Sequence, residues 1–202
     1  IRELAPDAQL VVGMSLGGRL VLEMARRALV GPTVALAPGG FWNDRERMYL
    51  KASLIASGSL VKTARPALPF LTRYKAGRAA LLGQISAKPG QVPQEAALRE
   101  LRSFADTPVF KDLVRDLAAG PIQEGTASTP GPVTIVWGRK DRLLLPRQAE
   151  QALQAFPEAQ LHWVDHAGHY ISWDAPDEVL RLIRQGIGAT SAPQAPEAAG
   201  SC

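Results

Sequence analysis

Residues 11–18 read Val-Val-Gly-Met-Ser-Leu-Gly-Gly, and what flanks this stretch decides the fold. The run just before and into it, residues 8–12, is short and apolar and lies between Pro6-Asp7 and Gly13, which predicts a buried strand. The segment after it, residues 17–30, places Leu20, Val21, Met24, Ala25, Ala28 and Leu29 at helical spacing. Gly31-Pro32 is expected to stop that helix, with Arg26 and Arg27 in its last turns, where cations suit the helix dipole. Residues 13–17 therefore fit G-x-S-x-G between a strand and a helix. A serine on so sharp a turn takes a strained backbone, so Gly13 and Gly17, two positions either side, are expected to be small to avoid collision. The turn exposes the Ser15 hydroxyl at a helix N-terminus, whose partial positive charge favours a developing oxyanion; the Leu16 amide is one expected donor.

Working outward, residues 33–37 form a second β-like run ended by Pro38-Gly39-Gly40, and strand–helix–strand is the unit of a parallel sheet. Residues 43–120 change character. The pattern is helical, broken by Pro66, Pro69, Pro89-Gly90 and Pro93, and carries no strand signal. Asn43 with Glu46 resembles a capping box, and Thr107-Pro108 resembles an N-cap followed by proline at the first helical position. After a loop over residues 120–132, residues 133–137 (V-T-I-V-W) predict a third strand, 147–156 a helix, 161–164 a fourth strand and 176–185 a last helix. Val179, Leu180, Leu182 and Ile183 form the apolar side of that helix. The expected organisation is an α/β core part over residues 1–42 with the serine turn, a helical insertion over 43–120, and a second core part over 121–187. Residues 188–202, rich in Ala, Pro, Ser and Gly, are expected to form a disordered tail.

Two further residues complete a candidate constellation. Asp141 lies in W-G-R-K-D-R-L-L-L-P, just past the third strand, where functional groups of open α/β sheets collect. His169 lies in D-H-A-G-H-Y, after the fourth strand, from where an imidazole can reach the serine hydroxyl across the end of the sheet. The carboxylate would hold the imidazole in one tautomer and stabilise its charged form. His162, inside the strand, is expected to be a packed or surface residue, and His166 a pocket or supporting residue. Asp165 is expected to support the histidine turn and Asp174 to help start the final helix. The chain order is serine, aspartate, histidine.

Three strings, V-V-G-M-S-L-G-G-R-L, W-G-R-K-D-R-L-L-L-P and A-G-H-Y-I-S-W-D-A-P-D-E-V, together resemble the α/β-hydrolase superfamily. The resemblance covers residues 8–186, closely at these strings and loosely between them. It implies an α/β-hydrolase fold, a catalytic triad of Ser15, Asp141 and His169, and residues 43–120 as a cap over the active site. The likeness is to the esterase, lipase and carbon–carbon-bond hydrolase branch, because dehalogenases and epoxide hydrolases of this fold carry aspartate where Ser15 stands. The expected reaction is hydrolysis of a small or medium apolar carboxylic ester through an acyl-enzyme. Cleavage of ring-fission products, or ligand binding without turnover, are the alternatives. Family members place several strands and an H-G-type oxyanion loop before the nucleophile strand. That strand here begins close to Ile1, so the chain is expected to be the carboxyl-terminal part of a longer hydrolase.

Composition narrows the partners. The 202 residues are 46 % hydrophobic and 21 % charged, ordinary for a globular domain. The net charge of +4 is spread along the chain, and the short basic pairs Arg26-Arg27 and Arg139-Lys140 each adjoin an acid, which argues against nucleic-acid binding. No apolar run is long enough to span a bilayer. The single cysteine, Cys202, allows neither an intrachain disulfide nor a cysteine metal cluster and fits a cytoplasmic setting. A small-molecule substrate and no cofactor or metal are expected.

Overall fold

The computed structural model describes residues 7–190. Strands β1 (Val11–Met14), β2 (Thr33–Leu36), β3 (Val133–Gly138) and β4 (Gln160–Val164) form one sheet in that spatial order, every adjacent pair parallel. Parallel neighbours need crossovers, and the chain supplies three. Helix α1 (Leu16–Arg26) makes the first and α7 (Arg147–Ala155) the third. Between β2 and β3 the crossover is a helical insertion: α2 (Asp44–Thr63), α3 (Leu68–Leu71), α4 (Lys75–Leu82), α5 (Gln94–Asp106) and α6 (Phe110–Ala119). Helices α8 (Ile171–Asp174) and α9 (Pro176–Thr190) follow β4. Strand β2, between two partners and under helices, is buried at every residue. Among the described residues β1 is an edge strand, and its Val12 is exposed. No helix among the described residues is long and apolar enough to cross a membrane.

Several boundaries differ from the sequence reading for local reasons. The first strand starts at Val11 and runs on to Met14, because Gly13 and Met14 still pair with Ala35 and Leu36. Helix α1 ends at Arg26, well before Gly31-Pro32. Ala28 takes the left-handed conformation (φ 55°), Ala28 N–H bonds Ala25 O and Leu29 N–H bonds Met24 O. That pair of bonds is a Schellman stop built on alanine rather than the usual glycine. The buried side of α1 is Gly18, Val21, Leu22 and Ala25, whereas Leu20 and Leu29 face solvent. Helix α9 continues through residues 188–190, which the sequence reading assigned to the tail, and Leu180 lies outside its buried face. The remainder of that expected tail, residues 191–202, lies outside the described residues.

The insertion is joined to the core at identifiable points. The Asn43–Glu46 capping box forms as expected: Glu46 N–H bonds Asn43 Oδ1 at 3.0 Å and Asn43 N–H bonds Glu46 Oε2 at 2.9 Å. The buried Glu46 carboxylate also accepts from Arg147 Nε of α7 at 2.5 Å. The Thr107-Pro108 reading is corrected. Thr107 bonds back to Ser103 O and closes α5, and α6 begins only at Phe110. A hydroxyl returning to the fourth residue before it competes with the capping geometry.

Candidate functional site

Ser15 sits between β1 and α1 with φ 55° and ψ −115°, a conformation that costs a non-glycine residue about 1–3 kcal/mol. Neighbouring backbone holds it there. Ser15 N–H bonds Leu36 O at 2.9 Å, and Ser15 O accepts from Arg19 N–H and from Gly39 N–H. The hydroxyl makes no capping bond to α1. The glycine requirement is one-sided. A Cβ on Gly13 would fall 2.2 Å from Gly17 O, whereas one on Gly17 meets nothing within 4 Å. Gly18 carries the second constraint, since a Cβ there would come 3.0 Å from Pro38 Cα. The expectation that Gly17 must be small is therefore corrected: Gly13 is the glycine the turn needs, and Gly18 is close-packed against Pro38. Leu16 opens α1, and its amide is among those with no intrahelical acceptor.

Asp141 and His169 meet. His169 Nδ1 lies 2.9 Å from Asp141 Oδ2, and both side chains are buried. The other carboxylate oxygen, Oδ1, accepts from Leu143 N–H (2.8 Å) and Leu144 N–H (2.9 Å), so the acid cannot rotate without losing two backbone bonds. A carboxylate oxygen facing Nδ1 favours the tautomer with the proton on Nδ1, which leaves Nε2 as the acceptor of the neutral ring. The loops that follow β3 and β4 are pressed together at Gly138, where an added Cβ would lie 2.3 Å from Gly168 O. Lys140 N–H bonds Ala167 O across the same seam, and Trp137 Nε1 bonds Leu144 O within the Asp141 loop.

The other candidates fall elsewhere. His162 pairs with Glu178 of α9 at 2.8 Å and with Arg181. Asp165 is exposed and pairs with Arg139, and His166 is exposed. Asp174 does not start the last helix; Asp177 and Glu178 supply the acids of its first turn. Instead Asp174 is a buried hub. Oδ2 accepts from Gly168 N–H (2.7 Å) and Ala87 N–H (2.7 Å), and Oδ1 accepts from the Ser86 hydroxyl (2.6 Å) and Lys88 N–H (3.2 Å). One carboxylate thus ties the insertion to the residue before His169. The sequence reading missed this, since no spacing links Asp174 with residues 86–88.

Ser15, Leu16 and His169 line one cavity of about 260 Å³. Its walls include Met14, Trp42, Leu143 and Leu144 from the core and Leu50, Phe104, Phe110 and Leu113 from the insertion. Among the described residues no Asp, Glu, Lys or Arg lines it. Tyr170, beside His169, also lines it, but its hydroxyl donates to Glu100 of α5 at 2.5 Å. Burial, with Glu100 adding to it, pushes the phenol well above its ordinary range, so Tyr170 stays neutral. The indole N–H of Trp42 is buried without a hydrogen-bond partner among the described residues. No cluster of potential metal ligands occurs among the described residues.

A parallel sheet with helical crossovers, a strained serine at the strand–helix turn, and an aspartate–histidine pair beyond the next strands define the α/β-hydrolase class. The chain belongs to it: residues 1–182 match the profile of the Alpha/beta hydrolase family. Among curated relatives, the epoxide hydrolase EphH of Mycobacterium tuberculosis is 27 % identical over 190 residues, covering 92 % of this chain and 88 % of the relative. Among solved structures, a putative lipase (lip1) from Acinetobacter baumannii aligns with a TM-score of 0.62 at 18 % identity, over 96 % of this chain and 66 % of that one. A mutant form of the meta-cleavage product hydrolase CumD, an enzyme of Pseudomonas fluorescens, aligns with a TM-score of 0.61 at 19 % identity, over 89 % of this chain and 64 % of that one. At these identities the two structures show a shared fold. The chain spans slightly less than two thirds of their length.

Proposed function

We propose that the protein is a serine hydrolase that cleaves an uncharged, apolar carboxylic ester through an acyl-enzyme. The observation that carries this reading is the strained Ser15 turn opening into the same cavity as His169, whose Nδ1 is bound to Asp141. In the proposed reaction the Ser15 oxygen attacks the ester carbonyl carbon while His169 Nε2 takes the hydroxyl proton. The carbonyl oxygen becomes an oxyanion facing the Leu16 amide and the positive end of α1. Collapse breaks the acyl–oxygen bond, and His169 returns the proton to the departing alcohol. Water then repeats the sequence on the acyl-enzyme and releases the acid. Asp141 holds the neutral imidazole in the tautomer with its proton on Nδ1 and stabilises the imidazolium that forms.

Residues 43–120 act in this reading as a cap that supplies much of the acyl pocket wall. The absence of charged lining favours a neutral substrate. A ring-cleavage product bears a carboxylate, and burying it against this wall without a counter-charge would be costly. An epoxide, the substrate class named for EphH, fits a carboxylate nucleophile, and Ser15 occupies that position here. The cavity lies just below the ~300–1,000 Å³ typical of ligand pockets, which suits a small or medium acyl group.

Hydrolysis of p-nitrophenyl butyrate and labelling by a fluorophosphonate test the proposal. Both should be abolished in Ser15→Ala, and Asp141→Asn should lower kcat by ~10⁴-fold by favouring the wrong tautomer. A folded wild-type protein that neither turns over any ester nor takes up the probe would overturn it.

A further inference from the structure

The Ser15 cavity has a neighbour. Inside the helical insertion lies a second cavity of about 40 Å³, walled by α2, α4 and α5 and the turn after α4. Leu54, Ile85, Phe104 and Phe110 line both cavities, so these four side chains are the wall between them. Phe110 is the part of that wall with a built seat. Its ring meets Phe104 edge-on, with centroids 5.5 Å apart and planes at 85°. The ring also packs on Gly58 of α2, where an added Cβ would fall 2.6 Å from Phe110 Cε1. Glycine in a helix interior weakens the helix relative to alanine, and here the missing Cβ is what admits the ring.

The inner cavity is suited to hydrocarbon. Among the described residues its polar lining side chains are Ser57 and Gln84, which are bonded to each other at 3.0 Å, and no charged side chain lines it. The outer cavity is lined mainly by apolar side chains between Ser15 and this wall. A linear chain attached to Ser15 and laid into the cap therefore meets Phe110 before it can enter the inner space.

We propose that Phe110 determines substrate specificity by setting the longest linear acyl chain the site accepts, with the inner cavity as a closed-off extension of the acyl pocket. The inference rests on the proposed acylation of Ser15. At ~10–15 Å³ of such volume per water-sized group, the inner cavity holds about three more groups. Each methylene buried on the way should raise kcat/KM roughly fourfold until the wall is reached.

The experiment compares kcat/KM for p-nitrophenyl esters from acetate to laurate in wild type, Phe110→Ala, Phe110→Leu and Gly58→Ala, all as the full chain. Wild type should rise with chain length and then break. The break should move outward by at least about three carbons in Phe110→Ala and by less in Phe110→Leu, which also guards against misfolding of the larger deletion. Gly58→Ala pushes the ring off its seat and should move the break away from its wild-type length. The same break length in all four proteins overturns the inference while leaving the hydrolase reading intact. Should wild type cleave no ester, the hydrolase reading fails by itself. The partition is then read by calorimetric binding of linear alcohols from butanol to dodecanol, where a break that Phe110→Ala fails to shift overturns it.

Discussion

Replacing each of the two glycines that flank Ser15 by alanine should give opposite results. Symmetry of the G-x-S-x-G pattern suggests equal damage, but the structure does not. In Gly13→Ala the new Cβ would stand 2.2 Å from Gly17 O, 2.4 Å from Gly17 C and 2.8 Å from Gly18 N. All three are backbone atoms of α1, so no side chain can swing away, and relief requires moving the helix start or the strand end. Overpacking of this kind costs about 1–3 kcal/mol, and three backbone contacts below 3 Å put this case at ~3 kcal/mol or more. At ~2–4 °C per kcal/mol for a chain of this size, the melting temperature should fall by at least ~6 °C. The displaced elbow also carries Ser15 out of line with His169, so fluorophosphonate labelling should slow by more than ~10-fold, taking a misplacement of about 1 Å as worth up to ~10². Gly17→Ala meets nothing within 4 Å and lies in α1 without a positive φ. It should be neutral or stabilise by up to ~1 kcal/mol, since alanine is the better helix former. Differential scanning fluorimetry and labelling kinetics on the two variants decide the matter. Equal destabilisation by both would refute the one-sided account of the turn.

Two other outcomes are expected. Asp174→Asn turns one acceptor oxygen of a four-donor hub into a donor, stranding at least one buried partner, and should cost about 2–4 kcal/mol in urea unfolding; an unchanged midpoint would contradict the hub. Glu23 is held down from 4.5 to about 2, first by its hydrogen bond with Arg26 and then, against some desolvation, by Arg27 and Gln123. A depressed carboxylate contributes stability that is complete above its unfolded pKa and lost as pH falls through the folded one. The melting-temperature gap between wild type and Glu23→Gln should therefore be largest at neutral pH and shrink as pH falls from 4.5 towards 2; a gap that stays constant with pH would rule this out.

Much of the sheet was legible because its strands are short apolar runs whose neighbours are turn residues. Thr33 to Leu36 is buried at every position, and a fully buried strand needs no alternation to be recognised. The end of β1 was not legible, because Gly13 and Met14 belong by composition to the turn and by hydrogen bonding to the sheet. Likewise the stop of α1 was sought at a glycine, whereas Ala28 accepts the left-handed strain itself. At the site, Asp141 and His169 could be picked out because each follows a strand end, and their hydrogen bond is the geometry that such an order allows. Asp174 could not be read. Its partners Ser86, Ala87 and Lys88 lie across the insertion, and only folding brings a carboxylate to a set of amides so far along the chain. Gly17 was over-read, since a motif records which residues recur and not which atoms collide.

The bond set around Asp174 has a consequence for anyone recombining such enzymes. An insertion between two strands looks like a module that could be exchanged by cutting at Asn43 and Gly120. Here the segment around Ser86 is fastened to Gly168, the residue before His169, and a Cβ on Gly168 would already stand 2.9 Å from Ala87 N. A chimera that imports a foreign insertion but keeps the native histidine loop would leave that loop without its far-side support. Viable crossovers should transplant residues 84–88 and 168–174 as one unit, so the true seam of the molecule runs through its histidine loop rather than along its strand ends.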